Sequence, residues 1–255
     1  MDFYLGVHEP TWLATLQVPA MVSRVRLARR VRPTVAAGPW VLDSGAFTEL
    51  QRHGGWSISA RSYAREVARW GDQLGGLVWA APQDWMCEPV VIHGGPGFVG
   101  TGLSVAEHQA RTVGNYLDLM ALEAPTIPVL QGFSLADYER CVDLYEAAGV
   151  RLAGLPVVGL GSVCRREATA EVGAIVAAMA ARGIRCHGFG CKAGALRRYG
   201  GLLASADSMA WSAAGRRRGP CDHLRSRCAN HRHYALTWRT GILAGAQGAQ
   251  LALAL

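Results

Sequence analysis

Lysine is almost absent from this 255-residue chain, with Lys192 the only one among 26 basic residues. Charge of either sign is sparse, at 18% of residues, yet the balance is +7. The positive charge is therefore carried by arginine, whose planar fork matches phosphate geometry and favours phosphate-bearing partners. A high-GC genome would give the same bias without a functional reason. No apolar run approaches the roughly 20 residues that a membrane span needs, and the segment 242–255 is too short and too rich in Ala and Gly. No basic stretch followed by a long apolar one opens the chain, so no signal peptide is expected and a soluble, cytoplasmic protein is. Seven cysteines, an odd count in a reducing compartment, argue against a disulfide framework and leave metal binding or simple burial. A glycine-rich phosphate fingerprint after the first strand is also missing, which argues against an open doubly wound sheet.

What is present is a regular alternation of short apolar runs with longer amphipathic or Ala-rich stretches, the βα pattern. Strands are expected at 3–6, 20–23, 40–43, 77–81, 127–131, 152–158, 185–189 and 207–211, and helices at 59–71, 104–121, 135–148, 166–181 and 193–204. Gly149 and Gly183 stand where helix C-termini should close. Eight strands at this spacing predict one α/β domain, a (βα)8 TIM-type barrel over 1–215, with residues 216–255 forming a zinc-binding segment and a C-terminal helix packed on the barrel. A long loop at 87–103, after the fourth strand, is expected at the C-terminal face as a lid or binding edge.

Several apolar runs end in a polar or glycine-rich step. The first is Trp40-Val41-Leu42-Asp43-Ser44-Gly45-Ala46-Phe47, where Ser-Gly-Ala can bend the backbone tightly enough to leave Asp43 at the mouth of the fold. The simpler alternative is a turn in which Asp43 or Ser44 only caps the following helix. Similar steps occur at Asp84, at Gln131-Gly132, at Gly159-Leu160-Gly161, at 187–190 and at Asp207. One barrel mouth would collect them all. Cys141 and Cys186 sit in apolar runs and read as buried residues, whereas Cys87 and Cys191 lack the adjacent base that a nucleophilic cysteine needs.

After the eighth strand the chain becomes polar and arginine-rich. Cys221, His223, Cys228 and His231 form a C-x-H-x4-C-x2-H pattern whose spacing can close on one tetrahedral zinc, with His233 able to replace His231. Four protein ligands would leave no open position, so Zn2+ here would be structural. The alternative is an arginine-rich surface helix with incidental Cys and His.

These motifs together resemble the tRNA-guanine transglycosylase superfamily: Asp-Ser-Gly-Ala-Phe at 43–47, Gln131-Gly132, the Val-Gly-Leu-Gly step at 158–161, an Asp at the end of the last strand and a Cys/His cluster after it. The length and the cluster's spacing are most similar to the DNA-acting branch, the DpdA family, which exchanges guanine in DNA for a 7-deazaguanine such as 7-cyano-7-deazaguanine. The resemblance implies Asp207 as nucleophile, Asp43 as general acid/base, and Phe47, Asp84, Gln131, Gly159 and Leu160 as the base pocket. It implies DNA and a free 7-deazaguanine base as partners, and it leaves a duplex-opening protein and a homodimer open. The chain departs from the tRNA enzymes in being shorter, in having Ala46 where they usually have a second glycine, and in lacking their Cys-x-Cys-x2-Cys pattern. The alternatives are the same chemistry on tRNA, or a catalytically inactive barrel that docks on nucleic acid.

Overall fold

A computed structural model describes residues 1–255 apart from 30–33, 167–168, 219, 222–223 and 254–255; for 220–221, 224–227 and 247–253 only the backbone is described. The first half contains β1 (Asp2–Val7), β2 (Ala20–Ser23), α1 (Arg24–Leu27), β3 (Trp40–Asp43), α2 (Ala46–His53), α3 (Ala60–Leu74), β4 (Leu77–Ala80), α4 (Pro89–His93) and α5 (Val105–Ala121). The second half continues with β5 (Val129–Leu130), α6 (Leu135–Ala147), β6 (Val158–Leu160), α7 (Ala170–Ala181), β7 (Cys186–Gly188), α8 (Ala193–Tyr199), β8 (Ser205–Ser208) and α9 (Ala210–Arg218). A two-stranded ribbon, β9 (Pro220–Cys221) with β10 (Leu224–Arg227), and α10 (Arg232–Leu253) follow.

Strands β1 to β8 form one parallel sheet in the order β4-β3-β2-β1-β8-β7-β6-β5. Its edges meet through a parallel bridge between Ala80 and Thr126, where Ala80 N donates to Pro125 O at 2.8 Å and Ile127 N donates to Ala80 O at 3.1 Å. The curled sheet with its covering helices is a TIM-like barrel, as the strand count implied.

Alternation along the strands sorts the side chains into two layers. Tyr4, Met21, Val41, Trp79 and Ile127 meet inside the sheet. Leu5, Val22, Trp40, Leu42 and Ala80 point outward, under Tyr63, Val67, Trp70 and Leu74 of α3. On the other half, Leu130, Val158, Leu160, Cys186 and Ala206 pack outward against α6, α7 and α8. Both faces are covered, which is why these strands read as continuous apolar runs.

Helix starts follow their caps. Ser59, Ser104, Ser134 and Thr169 each accept a backbone N–H with the side chain, and the two middle ones complete capping boxes with Glu107 and Asp137. Gly149 and Gly183 adopt φ of 84° and 73° just past α6 and α7, as expected of helix-closing glycines.

Two strands are displaced along the chain from the sequence expectation, and the others agree to within two residues at either end. The run at 152–158 holds a 3-10 turn at Leu152–Gly154, and its strand begins only at Val158, because Pro156 lacks an N–H for the ladder. The eighth strand is Ser205–Ser208, and Trp211 belongs to α9, where its indole donates to Gly6 O at 2.8 Å. Helix α2 follows Gly45 directly, as in the strand-to-helix alternative, and its Gly45 start at φ 81° is the tight bend that the Ser-Gly-Ala step suggested.

Candidate active site

The same alternation decides what reaches the C-terminal mouth. Val41 points inward, so Asp43, two residues on, does too. Ala206 points outward, so Asp207 faces in, where it pairs across the sheet with Tyr4. Val129 is opposite Gly159, and Gln131 continues on that inward parity. Asp43, Phe47, Asp84 and Gln131, together with Gly161, Ser162 and Phe189, line one cavity of about 100 Å³.

Asp84 is not on a strand. Its loop after β4 is held by neighbouring helices: Tyr63 donates to Ala81 O at 2.6 Å, Asn115 to Gln83 O at 2.6 Å, and Thr112 Oγ1 accepts the Trp85 N–H at 2.8 Å. Gln131 Nε2 then donates to Asp84 Oδ2 at 2.5 Å, and Ser44 Oγ to Oδ1 at 3.3 Å. Burial, reinforced by the charge of Asp43, pushes the Asp84 carboxyl up to about 7.

Asp43 is likewise raised by burial, with the charge of Asp207 adding to it, while the Gly45 N–H at 3.2 Å and the Ser23 hydroxyl pull it back. The two acids thus feel each other across the mouth. Asp207 Oδ1 accepts the Gly190 N–H at 2.8 Å and lies 3.4 Å from His187 Nε2. His187 is fully buried, with Nδ1 2.8 Å from Ser205 Oγ.

Phe47 opens helix α2 and meets Phe98 edge-on at 5.3 Å, with the Arg165 guanidinium 4.9 Å above the Phe47 ring. The segment 87–103 therefore does lend an edge to this mouth through Phe98. Gly159 and Leu160 lie within β6 and do not line the cavity. The Gly159 N–H is bonded to Pro128 O, and Leu160 packs outward. The cavity wall is made by the next two residues, Gly161 and Ser162. A Cβ on Gly161 would lie 2.7 Å from Gln131 Cδ, so only glycine leaves the amide its place.

Sequence reading did not single out Glu88, Ser162 or His187. Glu88 and Ser162 touch at 2.9 Å although 74 residues apart, and no local motif joins them. His187 had been seen only as part of a glycine-rich step.

Three of the buried cysteines are poorly suited to act as a nucleophile. Cys87 is buried with its thiol pushed up by burial, and burial likewise raises Cys141 and Cys186 to about 12.

Of the expected zinc ligands, His223 and the side chain of Cys221 lie outside the described residues. Cys228 is buried, and the His231 N–H donates to Cys228 O at 3.1 Å, so these two share one turn. The ribbon pairs Pro220 with Arg227 and Cys221 with Leu224. Among the described residues no cluster of three metal-ligating side chains occurs. No helix among them is long and apolar enough to cross a membrane.

A comparison with curated proteins finds no match. A family model described as DpdA: DeoxyPurine in DNA protein A matches residues 1–252. That match takes in every strand of the barrel and the ribbon after it, and the chain belongs to the DpdA family.

Proposed function

We propose that this protein exchanges guanine in DNA for a 7-deazaguanine derivative, such as 7-cyano-7-deazaguanine, through a covalent Asp207–deoxyribose intermediate. Membership of the DpdA family supports a DNA-acting transglycosylase in DNA modification. The observation that carries the chemistry is the pair Asp43 and Asp207, both inward at one mouth and electrostatically coupled, beside a cavity that holds an amide–carboxylate pair.

In the first half-reaction an Asp207 carboxylate oxygen attacks C1′, and the C1′–N9 bond breaks with its electron pair leaving on guanine. Asp43 gives that base a proton, a role its raised carboxyl suits. In the second half-reaction Asp43 takes the N9 proton of the incoming base. N9 then attacks C1′ and releases Asp207. Asp84 would accept the ring and amino N–H groups and Gln131 would donate to the carbonyl. Phe47 would stack on the ring, with the backbone at Gly161 forming the floor.

A base inside a duplex reaches such a mouth only when flipped out. Arg165 at the rim and the exposed Arg216, Arg217 and Arg218 at the end of α9 are suited to the flanking phosphates. Zinc held by Cys221, His223, Cys228 and His231 would fix this segment and take no part in the chemistry. Metal analysis of the purified protein should find zinc, and Cys228→Ser should lose it.

The decisive experiment is incorporation of radiolabelled guanine into duplex DNA and, in parallel, into tRNA. Label in DNA is expected, with Asp207→Asn abolishing both label and covalent adduct, a loss on the order of 10³ or more. Label in tRNA alone would move the activity to RNA, and label in neither would favour an inactive barrel.

A further inference from the structure

What the cavity reads depends on which end of the Gln131 amide it meets. Nε2 lies 2.5 Å from Asp84 Oδ2, and Oε1 lies 2.6 Å from Ser162 Oγ. Ser162 Oγ also accepts the Cys87 N–H at 2.7 Å and stands 2.9 Å from Glu88 Oε2. A hydroxyl has a single proton to give. Ser162 therefore cannot serve both Gln131 Oε1 and an ionised Glu88, and one of the two contacts needs a proton of its own. Glu88 is 6% exposed, and its other oxygen has no hydrogen-bond partner among the described residues, a setting in which a negative charge is costly.

We propose that Glu88 is held as the neutral acid and, through Ser162, locks the Gln131 amide with its NH2 toward Asp84, so that the pocket selects a 6-oxopurine over a 6-aminopurine. Glu88 O–H then donates to Ser162 Oγ, Ser162 O–H to Gln131 Oε1, and one Gln131 N–H to Asp84 Oδ2. The second N–H of Nε2 is left for a ligand carbonyl. Burial pushes the Glu88 carboxyl up and outweighs the Ser162 bond and the charges of Arg165 and Arg166, which pull it down. Ser162 itself sits at φ 55°, where a glycine would be unstrained. What serine adds there is the hydroxyl at the centre of the relay. The inference rests on the base-exchange reading and gives it a positioning residue, Glu88, that acts through Ser162 of the cavity wall.

Ser162→Gly removes the hydroxyl and relaxes the backbone, so Tm should hold while the Kd for free guanine rises about tenfold. Glu88→Ala should raise Kd similarly. Glu88→Gln, which still donates to Ser162, should stay within about twofold of wild type. The preference for guanine over adenine should narrow in the first two variants and persist in the third. On the alkaline side of the Asp84 value of about 7, difference infrared spectra should show a protonated carboxylic C=O stretch that Glu88→Gln removes. Absence of that band, or an unchanged Kd in Ser162→Gly, would overturn the lock. These measurements read binding and protonation. Wild-type protein that binds guanine but exchanges none would sink the base-exchange reading and still leave the lock to be judged by them.

Discussion

At the N-terminal mouth of the barrel the inward positions hold Tyr4, Trp79 and Ile127 around a cavity of about 510 Å³, bordered by Asp2, Arg185 and Ser205. At the C-terminal mouth the same strand parity delivers Asp43 and Gln131 to a cavity of about 100 Å³, with Asp207 facing the same mouth beside it. The larger space is thus the one without converging acids. Volume comes from where short strands and prolines such as Pro125, Pro128 and Pro156 leave the lower rim open. Chemistry comes from carboxyls desolvated beside one another, which is where perturbed acids gather.

The comparison would be sharpened most by Gly161→Ala. The added methyl must displace Gln131 from a fully buried position, and strain of that kind costs about 1 to 3 kcal/mol. The KM for the incoming base should rise tenfold or more, with kcat changed less. An unaltered KM would remove Gln131 from base recognition.

Asp84→Asn should have a smaller effect that depends on pH. Burial holds the Asp84 carboxyl at about 7, whereas an unfolded Asp titrates at roughly 4. Between those values the native state binds a proton that the unfolded chain has released, so stability falls as pH rises through the window. The variant's Tm should therefore exceed the wild-type value above pH 7, and the gap should close toward the lower limit. A constant gap at every pH would mean that Asp84 does not titrate there.

The smallest effect belongs to the lower mouth. Arg185 donates to Pro156 O at 3.0 Å on the surface of that cavity. Arg185→Ala should cost less than about 1 kcal/mol and leave exchange within about twofold. A larger fall in exchange would break the comparison by tying the two mouths together.

Asp43, Gln131 and Asp207 were legible as polar steps beside apolar runs, with their roles implied only by the resemblance; strand alternation is what turns all three inward. Asp84 was legible only through its motif, since side chains of α3 and α5 fix its loop. Ser162 and Glu88 were not legible, because their contact depends on ring closure between segments that share no sequence pattern. The sixth strand was set too early because Leu152 and Leu155 look like strand residues, and the decisive signal, Pro156, was underweighted. Helix α2 was legible only as the helix that Asp43 or Ser44 would cap, and neither side chain caps it, since Gly45 holds that position.

The barrel also has a seam. Between β4 and β5 the ring is carried by the bridge at Ala80 and Thr126 rather than by a ladder of paired residues. Just above it, Asp84 follows one side and Gln131 the other, joined at 2.5 Å. The two groups assigned to reading the base therefore also fasten the seam, and a base lodged between them would act as a rivet, bracing the sheet at the point where it is least stitched.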